Sequence, residues 1–289
     1  MRRLITALWL GACLQAAGHA QEETTAATAK VETPLTLPGA ESFIYHDVPP
    51  EPMRLHVFKP KGWSAADQRP AFIHFFGGGF VRGVPTQSAG WARQAATLGM
   101  IGVAADYRVL TRHGTDGTAC LADARAAVRW LQVHAAELGL DPKRIVVSGS
   151  SAGGGLALWT AITASPPGSA PEEAPLHKPA ALILMWPAAD FTLFSAQKDR
   201  FGGHRLACSA TQHLDAQMPP SLLLHGDKDP TVPYESSVIL HRTLVGTGNS
   251  CEFITMPGCG HGTTLPEWKA KLPDLIRRFL TAQKILPVP

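Results

Sequence analysis

Ser151 stands midway between two glycines in Gly149-Ser150-Ser151-Ala152-Gly153, a G-x-S-x-G pattern. An apolar β-branched run, Ile145-Val146-Val147, precedes it, and small and apolar residues follow, so the stretch reads as strand, sharp turn and helix. Such a turn is strained and lifts the serine hydroxyl above the end of a sheet, which makes Ser151 the candidate nucleophile. The flanking glycines have a steric reason, because a Cβ at either place would meet the neighbouring strand or the start of the helix. Ser150 is the competing hydroxyl, but it lies off-centre in the motif. A phosphate-binding loop would need lysine where Gly155 stands.

Three further stretches carry chemistry. Ile73-His74-Phe75-Phe76-Gly77-Gly78-Gly79-Phe80 sets three glycines directly after an apolar strand. The backbone there can turn its N–H groups into a cleft, and those of Gly78 and Gly79, joined by that of Ala152, are the expected oxyanion-hole donors. Leu222 to Pro233 is an apolar strand that ends in carboxylates. Asp229 is placed there to hold an imidazole and Asp227 is its rival, while an aspartate before proline also suits a plain turn. His261, between Gly260 and Gly262, lies in a loop after the next strand, on neither a core face nor a basic patch. Serine, carboxylate and histidine in this order suit acyl transfer: His261 takes the Ser151 proton, Ser151 attacks an ester carbonyl, and water releases the acid. That scheme requires no cofactor. The twelve histidines are scattered, with no C-x-x-C, H-E-x-x-H or EF-hand spacing, so no metal site is expected.

Holding these loops takes a sheet. Strands are expected over 43–46, 54–59, 70–76, 101–105, 181–185, 221–225 and 251–255, besides the one that leads to Ser151. Helical periodicity covers 89–98, 120–138, 151–164, 235–245 and 265–282. Strand and helix alternate nearly throughout, which predicts an α/β fold with a mostly parallel sheet, helices on both faces and the site at the carboxyl ends of the strands. Asp106, Arg108 and His113 follow a strand and are candidate cleft residues, though an ion pair holding that loop is the plainer reading. Trp186, Phe80 and Trp91 are candidates for an acyl or sugar platform, against the ordinary role of core aromatics. His213 reads as structural.

At 289 residues, 45% of them hydrophobic, the chain can bury one large core. Met1-Arg2-Arg3, the apolar run Leu4 to Leu14 and the small-x-small Gly18-His19-Ala20 predict a signal peptide over 1–20 and export to the periplasm or beyond the cell. The apolar run is well short of the roughly 20 residues that span a bilayer. A lipid anchor on Cys13 would leave an even shorter apolar region. Residues 21–41, rich in Thr, Ala, Glu and Pro, are expected to form a mobile leader, and 42–289 the catalytic domain. The formal charge of +3 falls by two when Arg2 and Arg3 are removed, which argues against a nucleic-acid or anionic-membrane partner. Export permits disulfides among Cys120, Cys208, Cys251 and Cys259; three complete pairings are open, and Cys208–Cys259 is the preferred single bridge.

From Phe43 to Leu280 the chain resembles the α/β-hydrolase superfamily. The resemblance rests on Phe76-Gly-Gly-Gly-Phe80, Ala105-Asp-Tyr-Arg108, Arg112-His-Gly-Thr115, Gly149 to Gly153, His225-Gly-x-x-Asp229-x-x-Val-Pro233 and Gly260-His261-Gly262. It implies Asp229 rather than Asp227 as the acid. Within the superfamily the chain looks most like exported bacterial esterases grouped with acetylxylan and feruloyl esterases, and like hormone-sensitive-lipase-like carboxylesterases. Many such relatives carry His-Gly-Gly-Gly where this chain has Phe76, with His74 two residues earlier. The resemblance implies a serine esterase for short acyl groups on a small-molecule or saccharide ester. A general carboxylesterase or lipase, a prolyl-oligopeptidase-like peptidase and a non-catalytic binding module are the alternatives.

Overall fold

A computed structural model describes residues 33–169, 174–194 and 199–288. The expected signal peptide and most of the expected leader lie outside the described residues. Elements follow in the order β1 (Glu41–His46), β2 (Met53–Phe58), β3 (Arg69–Phe75), α1 (Ala89–Thr97), β4 (Ile101–Ala105), α2 (Leu110–His113), α3 (Gly117–Val133), α4 (Ala135–Leu138) and β5 (Leu140–Ser150). The second half runs α5 (Ala152–Trp159), β6 (Ala181–Met185), α6 (Arg205–Cys208), β7 (Ser221–Gly226), α7 (Tyr234–Gly246), β8 (Cys251–Met256) and α8 (Pro266–Ala282). The eight strands form one sheet in the order β1-β2-β4-β3-β5-β6-β7-β8. Only the β1–β2 and β2–β4 pairs are antiparallel; every pair from β4 through β3 to β8 is parallel.

Near-continuous apolar strands follow from burial on both faces. On β6, Leu182 and Leu184 join the core under α3, α5 and α7, while Ala181, Ile183 and Met185 join the one under α8. On β7, Leu223 goes to the first core and Leu222 and Leu224 to the second. The amphipathic α8 covers its side with Leu272, Ile276, Phe279 and Leu280, spaced as one helical face, each burial of that kind contributing about 2 kcal/mol. α5 is buried on every side, including its three glycines, and so has no polar face at all.

Several boundaries differ from the sequence reading. The expected helix 120–138 is broken at His134, whose ring Nδ1 and backbone N–H both turn to the Trp130 carbonyl at 2.9 and 3.0 Å. The helix after Ser151 stops at Trp159 rather than running to Ala164. There the buried Arg125 guanidinium gathers the carbonyls of Trp159, Ile162 and Ala164, a carbonyl cage that a continuing helix would not leave free. The expected leader also ends too late. Leu37 is buried against Phe58, Ala89, Ala92 and Ala104, and Arg93 donates to the Pro38 carbonyl, so residues from 33 onward belong to the packed fold. The Cys208–Cys259 bridge does not form. All four described cysteines are free thiols, and Cys208 and Cys259 sit in the cores on opposite faces of the sheet. Burial pushes the Cys208 and Cys251 thiols up to about 12.

Candidate active site

β5 ends at Ser150, α5 begins at Ala152, and Ser151 between them has φ 56 and ψ −121. A non-glycine residue in this region costs on the order of 1–3 kcal/mol, so the surrounding packing must hold it there. Gly153 permits the turn, because a Cβ on it would run into the carbonyl oxygens of Phe75 and Phe76. The two adjacent hydroxyls then part company. Ser150 Oγ points under the turn, 3.2 Å from His74 Nε2 and 3.8 Å from Met185 Sδ. Ser151 Oγ lies 3.0 Å from His261 Nε2.

His261 reaches Ser151 from the loop after β8, and its Nδ1 is 2.7 Å from Asp229 Oδ2. A carboxylate only accepts, so Nδ1 carries the proton and Nε2 is left free to accept from the serine. Asp229 comes from the loop after β7, and its Oδ1 accepts from the backbone N–H groups of Thr231 and Val232 at 2.8 and 2.9 Å. Burial alone would raise its pKa, but hydrogen bonds from His225, His261 and those two amides hold it well below the usual carboxylate range. Asp227 takes the turn role instead, accepting from the Gly258 N–H at 2.7 Å.

The glycine loop after β3 packs directly on the nucleophile: a Cβ on Gly77 would lie 3.1 Å from the Ser151 Cβ. The Gly78 carbonyl accepts from Val81 and Arg82, both at 3.1 Å, so the Gly79 N–H on the same trans peptide points the opposite way. Likewise the Ser151 carbonyl accepts from Gly154, Gly155 and Ala188, which aims the Ala152 N–H out of the helix end. Among the described residues, no protein group accepts from the N–H of Gly78, Gly79 or Ala152. Phe76, in the place where many relatives carry histidine, stacks on Tyr107 with centroids 4.1 Å apart, and the Tyr107 hydroxyl donates to the Phe76 carbonyl at 2.8 Å. The loop is thereby propped by ring packing rather than by an imidazole. Its far end is tied down by α2, where Leu110 and Thr111 donate to the Phe80 and Val81 carbonyls.

Among the described residues, no hydrogen bond joins the other sequence candidates to the Ser151 hydroxyl. Asp106, Arg108 and His113 do not pair with one another: Arg112 meets Asp106 at 2.6 Å and Arg108 meets Asp123 at 2.7 Å. Burial pushes the Asp106 carboxyl up to about 6 despite Arg112, whereas hydrogen bonds from His46 and Arg108 outweigh burial and hold Asp123 below the usual range. Trp186 has a left-handed φ of 39 and sets its ring edge-on to His261 at 6.4 Å, walling the imidazole on one side. Phe80 packs with Phe191 and Phe201 as core, and Trp91 stacks on His74. His213 bonds the Ala207 carbonyl at 2.9 Å. The sequence reading missed Tyr107, His74, His225 and Ser237 as members of this region. The signals that could have found them are His74 and His225 interrupting otherwise apolar strands, and Tyr107 and His225 standing in stretches that carry the family resemblance.

The profile of a family described as alpha/beta hydrolase fold matches residues 72–212, and one described as TAP-like protein matches 205–285. The chain superposes on esterase 2 of Thermogutta terrifontis in its propionate-bound form with a TM-score of 0.80 and 36% identity, covering 87% of this chain and 97% of that one. The butyrate-bound form gives 35% identity and the same TM-score over the same shares. Esterase LipQ of Mycobacterium tuberculosis is 26% identical over 231 residues, 73% of this chain and 54% of that protein. Esterase LipI of the same organism is 36% identical over 126 residues, 43% of this chain and 39% of that protein. The chain thus spans about half or less of the length of these two relatives. It belongs to the α/β-hydrolase family.

Proposed function

We propose that the protein is a serine carboxylesterase for short-acyl esters, with Ser151 as nucleophile, His261 as general base and then acid, and Asp229 orienting the imidazole. The observation that carries this reading is the unbroken row from Asp229 Oδ2 through His261 to Ser151 Oγ, at 2.7 and 3.0 Å, beside three unengaged backbone N–H groups. In the proposed cycle Ser151 Oγ attacks the ester carbonyl as its proton passes to His261 Nε2. The tetrahedral oxyanion takes the N–H groups of Gly78, Gly79 and Ala152, each such donor supplying about 3 kcal/mol. His261 then protonates the departing alcohol, and water repeats the sequence to release the acid.

The short-acyl preference is supported by Phe80, Phe191 and Phe201, whose rings fill the space beside α5 immediately beyond the glycine loop. It is supported also by the propionate and butyrate named for the Thermogutta relative. The finer reading is an exported enzyme whose alcohol portion is the sugar of an acylated polysaccharide or oligosaccharide. The polar residues of 186–220 support it in part. Asp190 and Asp199 cap their own loop turns and Arg205 holds the Phe194 carbonyl, which leaves Arg200 and His204 as exposed groups for a polar alcohol.

Aryl esters of increasing acyl length, run beside acetylated xylan and methyl ferulate, test both levels. The expected result is that kcat/KM falls beyond acetyl to butyryl and that the polysaccharide releases acetate. A rise through octanoyl would leave a general carboxylesterase or lipase, and aryl turnover without acetate release from xylan would remove the saccharide. Cleavage of a peptide amide with none of any ester would leave a peptidase, and failure of a serine-directed phosphonate to label the chain a binding module.

A further inference from the structure

The acid of the proposed triad is shared by two imidazoles. Asp229 Oδ2, which meets His261 Nδ1 at 2.7 Å, also lies 3.1 Å from Nε2 of His225, the last-but-one residue of β7. His225 is fully buried. Its Nε2 faces the Val232 carbonyl as well, at 3.2 Å, so both neighbours of that nitrogen are acceptors and it must carry a proton. The other ring nitrogen, Nδ1, is 2.6 Å from Oγ of Ser237 on α7, itself fully buried. In a neutral ring Nδ1 accepts, so the Ser237 hydroxyl donates to it and fixes the tautomer that presents Nε2–H to the carboxylate.

We infer that His225, held in one tautomer by Ser237, is a positioning residue that sets how strongly Asp229 binds the imidazole of His261, extending the hydrogen-bonded row to Ser237–His225–Asp229–His261–Ser151. The inference rests on the esterase reading. The physical effect has a definite sign. Every donor to Asp229 disperses its negative charge, and the donor supplied by His225 falls on the same oxygen that His261 uses. Removing it concentrates charge on Oδ2, so the carboxylate holds the protonated His261 ring more tightly and the neutral, proton-accepting ring becomes scarcer at low pH. The titratable groups facing the His225 ring are Asp229 from its own loop and Tyr234 of α7, which meets it edge-on at 5.7 Å; through Asp229 it is coupled to His261. The Tyr234 hydroxyl is engaged with Thr255 of β8 at 2.5 Å and does not compete for the ring.

The test is the pH dependence of aryl-acetate hydrolysis by His225→Leu, His225→Gln and Ser237→Ala. In His225→Leu, kcat is expected to fall about tenfold with KM little changed, and the acid limb of kcat/KM to move upward by about half a pH unit or more, as for loss of one of several donors to a carboxylate. His225→Gln, whose amide can still donate, should restore the limb toward its original position. Ser237→Ala should move the limb the same way by less, and should have no effect in a His225→Leu background. Should His225→Leu fail to fold, His225→Gln and Ser237→Ala decide by the same criterion. An acid limb that stays put in the folded variants, whatever happens to Tm, would reduce His225 to a packing residue and overturn the inference. Failure of the esterase reading is distinguishable, since it would appear in the wild type itself, either as no aryl-acetate hydrolysis or as hydrolysis that survives Ser151→Ala.

Discussion

Ser151→Ala removes the hydroxyl that meets the half-buried His261 ring at 3.0 Å and little else. Ester hydrolysis should fall by several orders of magnitude with Tm unchanged, as measured by initial rates and thermal melts. Ser150→Ala touches only the His74 and Met185 contacts under the turn, so its rate should stay within a few-fold of wild type. Equal loss at both positions would contradict the assignment of the nucleophile. At the acid, Asp229→Asn offers an amide that can donate to His261 Nδ1 and stabilise the wrong tautomer. Its kcat should drop by about three to four orders of magnitude. Asp227→Asn, whose side chain among the described residues accepts from the Gly258 N–H, should leave kcat near its original value. The reverse ranking would move the acid to Asp227.

At the scale of elements, three strand ends supply the row and a fourth supplies the glycine loop. β5 delivers Ser151, β7 delivers Asp229, the loop after β8 delivers His261, and β3 leads into Gly77 to Gly79. What fixes that loop is a contact between elements distant in sequence, Phe76 stacked on Tyr107 with the tyrosine hydroxyl on the Phe76 carbonyl. Tyr107→Phe keeps the stack but strips a buried carbonyl of its donor, a loss worth about 1–3 kcal/mol. The loop loosens next to the donors it carries, so kcat should fall about tenfold while KM stays nearly constant. A change confined to KM would mean that the contact serves substrate binding rather than the oxyanion.

Buried histidines tie the stability of the whole molecule to pH. Burial lowers the pKa of His74 from its ordinary 6.5 to about 3 and that of His56 to about 4. In the unfolded chain both take up a proton near pH 6.5, whereas in the fold they stay neutral. Their contribution is therefore complete above about pH 6.5 and is lost as pH falls toward 4, at up to about 1.4 kcal/mol per pH unit per ring. Tm should decline steadily between pH 6.5 and 4, and His74→Phe should make that decline shallower; an identical slope in the variant would show that His74 does not titrate on unfolding. The sequence by itself determined the α/β alternation, the elbow serine, the glycine loop and the order serine, aspartate, histidine, since each is written in local chemistry: β-branched runs, a required glycine, a carboxylate at a strand end. Only the tertiary structure decided that Asp106 pairs with Arg112 and Asp123 with Arg108, that Cys208 and Cys259 lie on opposite faces of the sheet, and that His225 shares the acid with His261. Those facts depend on where the sheet order and the loops between strands finally set each side chain, which the local chemistry of a single stretch does not encode.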